Sequence, residues 1–336
     1  MVVAAVTSPE EGIQVTRLTF SGEELSSERF AASVDDAVYD VDWQGNVLIV
    51  ARGLDLSSCN VASAKDDEFG VMWRKSDGDC TGGNRLSKAE VGVPVVVRTR
   101  MLGDLLLLSR SGEGATAKVH LQEHYYQERI SHADFDGTPH AMETNDGFHA
   151  AISYTTPDDQ NRVRLYDGTT ELVGEYQSPQ NTLFTQVTPS KTGRFVIAIA
   201  GHDDGVPVVI LLDEDMNVDW ELHPLSENGA FVEPVSLVAG PELTIAFAVS
   251  GDDATLFDST IPAGQTGVFD LAYDYGTPTP RTAIPTRGLT MVRPVNNDQM
   301  LIAGSLQPAN FTDPSARSSG LDHPLAVYGA LLLTNE

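Results

Sequence analysis

Residues 183–224 read LFTQVTPSKTGRFVIAIAGHDDGVPVVILLDEDMNVDWELHP, four strand-like runs separated by turns rich in Gly, Asp and Asn. The second run, RFVIAIAG, is apolar or small at almost every position. A strand exposed on one face alternates apolar with polar, so an uninterrupted apolar run of this length predicts a strand buried on both faces. The runs VPVVILLDED and NVDWELHP supply a third and an outer fourth strand, joined by turns whose residues favour reversal. The segment therefore predicts a four-stranded antiparallel meander with a doubly buried second strand.

The same unit recurs along the chain. Its apolar core reads GNVLIVARG from Gly45, GDLLLLSRSG from Gly103, DGFHAAISY from Asp146, GRFVIAIAG from Gly193, PELTIAFAVSG from Pro241 and DQMLIAGS from Asp298, six copies in all. Counted from the first apolar residue of each (Val47, Leu105, Phe148, Phe195, Leu243, Met300), the intervals are 58, 43, 47, 48 and 57 residues. The third copy repeats the whole order as HAMETND, FHAAISY, RVRLYDG and ELVGEYQS. Repeats of this length built from short strands and turns signify propeller blades.

Pieces such as VTPSKTGRFVIAIA and LLDEDMNVDWEL resemble WD40-like and quinoprotein-like propeller repeats, although no GH…WD pair and no sialidase-type Asp box occurs. The expectation is a single all-β domain over residues 1–336: a six-bladed propeller, seven blades being the alternative count. Its N-terminal arm covers residues 1–12, and its blade cores start near 47, 105, 148, 195, 243 and 300. The last copy ends at LAVYGALLLTNE, one strand short, while GIQVTRLTF precedes the first blade without partners. An N-terminal strand that completes the last blade would remove both exposed edges.

The formal net charge is −27, with only five lysines: Lys65, Lys75, Lys88, Lys118 and Lys191. Acidic residues are dispersed through nearly every loop, a pattern that resembles haloarchaeal proteins. At molar salt the Debye length falls to about 3 Å, so the surplus carboxylates do not repel one another appreciably. The same charge disfavours nucleic acid and anionic membranes as partners. The N-terminal stretch has no basic n-region and too short an apolar run for a signal peptide, and no run is long enough to span a bilayer. A virion or the cytoplasm is the expected location. Cys59 and Cys80, the two cysteines, can form a disulfide; two unrelated thiols is the reading the sequence favours.

Chemistry-bearing residues fall in three groups. His120, His124, His132, His140 and His149 lie within one short segment with Glu123, Glu128, Asp134 and Asp136. Of these, His120, His124, His132 and Asp134 are candidate ligands for a divalent metal such as Zn, Mn or Fe. The alternative, no cofactor, is favoured because the spacing matches no metal motif. The inferred first strands, which line a propeller's channel, carry Asp40, Asp42, Arg98, Arg100, His140, Glu143, Gln186, Glu233 and Arg293. These charges can hold a polar ligand or sugar, or satisfy one another as an ion-pair network. Two long interblade segments add Phe69, Trp73 and Arg74 near the cysteines, and Tyr273 and Tyr275, as candidate recognition aromatics. Asp213, Asp215, Asn217 and Asp219 imitate the start of a calcium loop. Val218 stands where the turn Gly belongs and Pro224 where the bidentate Glu belongs, so a hairpin is expected instead. No GxSxG elbow marks a serine nucleophile, and no catalytic residue is assigned.

The expected function is that of a non-enzymatic interaction propeller of a halophile, a structural or host-attachment component of a haloarchaeal virus particle, tail or capsid, bound to protein neighbours or surface glycan. The competing readings are a channel hydrolase or lyase, metal-dependent or not, and a cytoplasmic scaffold for a protein complex.

Overall fold

A computed structural model describes residues 2–8, 12–18, 24–41, 46–75, 77–101, 104–125, 128–145, 149–167, 170–178, 182–190, 197–203, 206–223, 230–240, 242–272, 276–284, 289–294, 299–305 and 328–334. Val2–Ser8 (β1), Gly12–Leu18 (β2) and Glu24–Phe30 (β3) form a three-stranded antiparallel sheet. Four-stranded antiparallel sheets follow in chain order. The first comprises Ser33–Val41 (β4), Val47–Arg52 (β5), Glu68–Arg74 (β6) and Cys80–Ser87 (β7), and the second Val93–Met101 (β8), Asp104–Ser111 (β9), Lys118–Tyr125 (β10) and Glu128–Asp136 (β11). The third comprises Thr138–Asn145 (β12), His149–Thr155 (β13), Asn161–Asp167 (β14) and Leu172–Gln177 (β15), and the fourth Leu183–Pro189 (β16), Ile197–Asp203 (β17), Val206–Leu212 (β18) and Val218–Leu222 (β19).

The fifth sheet begins with Phe231–Ala239 (β20) and Leu243–Ser250 (β21). A hairpin of Ala254–Leu256 (β22) and Ser259–Ile261 (β23) intervenes before Thr266–Leu271 (β24) and Thr279–Ile284 (β25) complete the order β20-β21-β24-β25. Leu289–Pro294 (β26), Gln299–Ser305 (β27) and Tyr328–Thr334 (β28) form a last three-stranded sheet. The first four of the four-stranded sheets are uninterrupted meanders with the strand order read from residues 183–224, and the fifth keeps that order around its inserted hairpin.

The second strands show why their sequence runs are unbroken. Along β5, Val47, Ile49 and Ala51 face one apolar cluster while Leu48 and Val50 face the next. Along β9, Leu105 and Leu107 pack toward the preceding sheet and Leu106 and Leu108 toward the following one. Along β17, Ile197 and Ile199 separate from Ala198 and Ala200 in the same way. Side chains alternate across a strand, so burial on both faces demands apolar residues at odd and even positions alike. The core is accordingly divided into slabs between successive sheets. First strands touch one another from sheet to sheet, β4 with β8, β8 with β12, β12 with β16, β16 with β20 and β20 with β26, which makes them the inner strands.

Two regular irregularities accompany this plan. Each first strand from β8 onward shifts register near its start, at Pro94/Val96, Pro139/Ala141, Phe184/Gln186, Pro234/Ser236 and Leu289/Met291. Three of these bulges begin at proline, which has no N–H to offer a ladder and is tolerated where pairing breaks. The outermost strands bulge as well, leaving Thr81, Ile130, Val173, Asp219 and Arg281 unopposed.

The structure corrects the reading of the N-terminus. GIQVTRLTF is not a partnerless strand: its ordered part, β2, pairs with β1 on one side and β3 on the other. The sheet it forms has the outer-strand bulge too, at Leu25, so β1–β3 correspond to the second, third and fourth strands of the other sheets. Its Ile13, Val15 and Phe30 pack on Val47, Ile49 and Met72 of the first four-stranded sheet. β1 lies beside β28 without joining its ladder.

The cysteines are also corrected. Cys59, at the end of a 3₁₀ turn, and Cys80, at the start of β7, are disulfide-bonded, with Cα atoms 5.3 Å apart. The bond ties the connection after β5 to the outer strand of the same sheet.

Candidate functional site

Several polar residues of the inner strands reach across to the neighbouring sheet, one link for each successive pair. Asp40 Oδ2 on β4 accepts the backbone N–H of Thr99 on β8 at 2.7 Å. Arg98 on β8 donates from Nε and Nη2 to the two carboxylate oxygens of Glu143 on β12, at 3.2 and 3.1 Å. Asn145, closing β12, donates to the carbonyl of Ser190, just past β16, at 2.8 Å. Thr185, the bulged residue of β16, donates to the carbonyl of Pro234 at the bulge of β20. Ser236 on β20 both donates to the Val292 carbonyl and accepts its N–H on β26, each at 3.0 Å. One side chain thus links each successive pair of inner strands.

Burial alone would lower the Arg98 pKa, yet the charges of Glu143 and Asp40 outweigh it and hold the guanidinium above its ordinary value. Fork-to-fork geometry of this kind is the strongest form of the pair. His140 occupies the bulge of β12, hydrogen-bonded through Nε2 to Thr155 Oγ1 at 2.6 Å, and burial lowers its pKa. Glu233 is on β20 and exposed, and Gln186 is on β16. Asp42 and the side chains of Arg100 and Arg293 lie outside the described residues. The structure therefore brings Asp40, Arg98 and Glu143 together across three sheets.

The histidine-rich segment forms β10 and β11. Asp134 is directly opposite His120, and their Oδ1 and Nδ1 are 2.8 Å apart; Ser111 Oγ lies 2.7 Å from His120 Nε2. His124 is buried, its Nε2 3.0 Å from Gln122 Oε1, while His132 on β11 is exposed. Among the described residues no three His, Cys, Asp or Glu side chains converge on one metal position. Of the four candidate ligands only His120 and Asp134 meet.

Burial, reinforced by Arg129, lowers the His124 pKa to about 4. The folded state therefore favours the neutral ring more than the unfolded chain, whose imidazole titrates near 6.5. The resulting stabilisation is complete above pH 6.5 and is lost as pH falls from there toward 4, roughly 3 kcal/mol in all. Acid unfolding of His124→Gln is expected to lack this part of the pH slope; a slope identical to the parent's would refute the assignment.

The aromatic candidates divide. Phe69 and Trp73 lie on β6, a buried third strand, and their side chains are core. The true insertion is the connection between β5 and β6, which with β3 borders a cleft of about 290 Å³. Within the cleft, Arg74 donates to Glu28 Oε2 from Nε and Nη2 at 3.0 and 2.7 Å and stands over Phe30, 5.5 Å from the ring centre. Tyr273 and Tyr275 lie outside the described residues. The expected hairpin at Asp213 is present: its Oδ1 accepts the N–H groups of Asp215 and Asn217.

The Ser111–His120–Asp134 series was not visible in the sequence, because the three residues are brought together by the register of two successive hairpins. The signal present in the sequence was limited to alternation: Ser109 and Ser111 on one strand, His120, Gln122 and His124 on the next.

No family model and no curated protein sequence matches the chain. Among solved structures it is similar to a putative 6-phosphogluconolactonase from Bacteroides fragilis, with 16% identity over 90% of this chain and 86% of that one and a TM-score of 0.54. It is likewise similar to the WD40 domain of coronin from Toxoplasma gondii, with 9% identity over 90% of this chain and 75% of that one and a TM-score of 0.53. At these identities the likeness is one of fold, and with the topology described it identifies a β-propeller repeat architecture.

Proposed function

We propose that the chain is a protein-binding β-propeller that engages its partner through the outer strands. The observation that carries this reading is a set of exposed apolar side chains on the outermost strands of an otherwise strongly acidic molecule. Leu25 on β3, Ile130 on β11, and Leu172 and Val173 on β15 are 57%, 58%, 47% and 52% exposed. Leu25, Ile130 and Val173 are all bulged residues, turned out of the ladder at equivalent places in three sheets. Exposed apolar groups at edge positions are costly for solubility and are characteristic of contact surfaces.

The ring is read as seven sheets, the N-terminal sheet taking the position between β26–β28 and β4–β7. The contacts of β1 with β28 and of Ile13, Val15 and Phe30 with the first four-stranded sheet support this count over six. The disulfide supports an oxidising setting, such as the surface of a virus particle, and the lysine-poor acidic surface supports molar salt. Within that setting the partner is a neighbouring protein of the assembly, with a surface glycan as the finer alternative.

The test is affinity capture from source extract in multimolar KCl, comparing the parent with Leu172→Glu/Val173→Glu. A partner retained by the parent and lost by the double variant, whose melting is unchanged, is the expected result. Equal capture by both proteins would sink the outer-strand reading.

A further inference from the structure

The geometry points to a second, chemically distinct site on the second four-stranded sheet: Ser111, His120 and Asp134 form a nucleophile, base and orienting acid able to transfer acyl groups from small carboxylic esters. Asp134 shares β11 with Ile130 of the binding surface proposed above, but the chemistry does not rest on that surface, and either reading can fail without the other.

The site is built by strand register. β9, β10 and β11 are consecutive, with His120 directly opposite Asp134 on one side and Ser109 on the other, so Ser111 is its diagonal neighbour on the same face. Ser111 Oγ is 2.7 Å from Nε2, and Asp134 Oδ1 is 2.8 Å from Nδ1. The proton positions follow from donor chemistry. An ionised Asp134 can only accept, so Nδ1 of the neutral ring carries the hydrogen, and Nε2 is left as acceptor for the serine hydroxyl. That is the tautomer a general base requires, and the same logic of nucleophile, base and orienter defines acyl-transfer triads on unrelated folds.

The surroundings suit the assignment. The His120 side chain is only 16% exposed, and Gly92, at φ +74, lies behind it where a Cβ would stand 3.5 Å from Cδ2. Asp134, at 48% exposed, holds the ring from the solvent side. Ser111 ends its strand and is followed by Gly112 and Gly114, both at positive φ; Gly112 packs against the Thr116 backbone, where a Cβ would collide with the carbonyl oxygen, while nothing lies within 4 Å of a Cβ built on Gly114. Ser111 itself is half-buried, and an incoming carbonyl would approach it from the Gly114 side of the hairpin. Lys118, directly opposite Ser111, brings an ammonium to the same end of the sheet, 4.0 Å from Asp136.

In the acylation step the Ser111 O–H proton passes to His120 Nε2 as Oγ bonds to the ester carbonyl carbon. The proton then goes to the departing alkoxide as the C–O bond breaks, leaving an acyl-serine and a free alcohol. Water repeats the sequence, giving up its proton to Nε2, and the proton returns to Oγ as the acid leaves. An open sheet face grips little of its substrate, which restricts it to small, activated esters, and the net charge of −27 favours neutral or cationic ones over anions.

Two probes test this on the full chain: 4-nitrophenyl acetate turnover, and labelling by diisopropyl fluorophosphate with the modified peptide located by mass spectrometry. The expected results are a burst of about one equivalent of nitrophenol per chain and a label on Ser111. Ser111→Ala is expected to lose the label and at least about 100-fold of the rate, on the scale of a lost nucleophile. Asp134→Asn should lower the rate less, since its carboxylate is half exposed. Ser111→Cys supplies a second test should the alanine variant melt early: it keeps a nucleophile and should keep the burst. A parent without a burst, a label on any other residue, or full turnover by a folded Ser111→Ala would overturn the proposal.

Discussion

Removal of residues 1–30 is expected to abolish cooperative unfolding rather than merely lower its midpoint. The three strands deleted contribute Ile13, Val15 and Phe30, exposed by 0%, 1% and 6%, to the cluster that includes Val47, Ile49, Leu54, Leu56 and Met72. Burying three such side chains contributes roughly 6 kcal/mol, without counting the apolar surface newly exposed on β5 and β6. A domain's whole stability is on the order of 5 to 15 kcal/mol, so the loss consumes most or all of it. One tether goes as well, the Glu28–Arg74 pair. The measurement is chemical denaturation followed by near-ultraviolet circular dichroism. A single sharp transition at the parent's midpoint would show that the N-terminal sheet is an appendage. Phe30→Ala serves as the milder variant, with an expected cost of about 3 to 4 kcal/mol.

The sequence revealed those parts of the fold whose physics is local. Leu105–Leu108 must be apolar at four successive positions because each face of β9 meets a different slab of core, and such a run is legible without knowing what covers it. The order of strands around residues 183–224 was legible for the same reason. The N-terminal sheet was not, since β3 reads ELSSERF and only Phe30 is buried; an outer strand with one apolar contact has no periodic signature. Phe69 and Trp73 read as insertion aromatics in the sequence because a third strand with Gly70 in it, EFGVMWR, interrupts its own apolar run. Gly70 is needed there: a Cβ would lie 2.7 Å from the Cβ of Leu54. The links between inner strands depend on which residue of one sheet faces which residue of another some 45 positions away, and no local pattern encodes that. The residue types on those strands are nevertheless legible: the charges of Asp40, Arg98 and Glu143 stand out in apolar stretches, whereas Thr185 and Ser236 are ordinary strand residues.

Arg98→Glu follows from the geometry of those links as the point substitution with the largest expected cost. Arg98 is the cation between Glu143, which it grips with two hydrogen bonds, and Asp40, whose charge also stabilises it. The pair is one quarter to one third exposed, so breaking it falls at the low end of the cost for a buried ion pair, about 3 kcal/mol. Placing a third carboxylate between two others adds repulsion of about 1 kcal/mol for a pair about 4 Å apart even at the dielectric of water, and more where the pair is partly buried. A loss of about 4 kcal/mol is therefore expected, read as a lowered midpoint in denaturant. Arg98→Glu/Glu143→Arg should recover part of it by restoring opposite charges across β8 and β12, though not the contact with Asp40. A ligand-binding role for Arg98 predicts the opposite pattern: stability preserved and binding lost in the single variant, with no recovery in the exchanged pair. Because Asp40 already accepts the Thr99 N–H at 2.7 Å and Glu143 accepts that of Thr144 at 3.0 Å, both carboxylates are held in place by backbone as well as by Arg98. They cannot swing away from a new negative charge, and the penalty should appear in full.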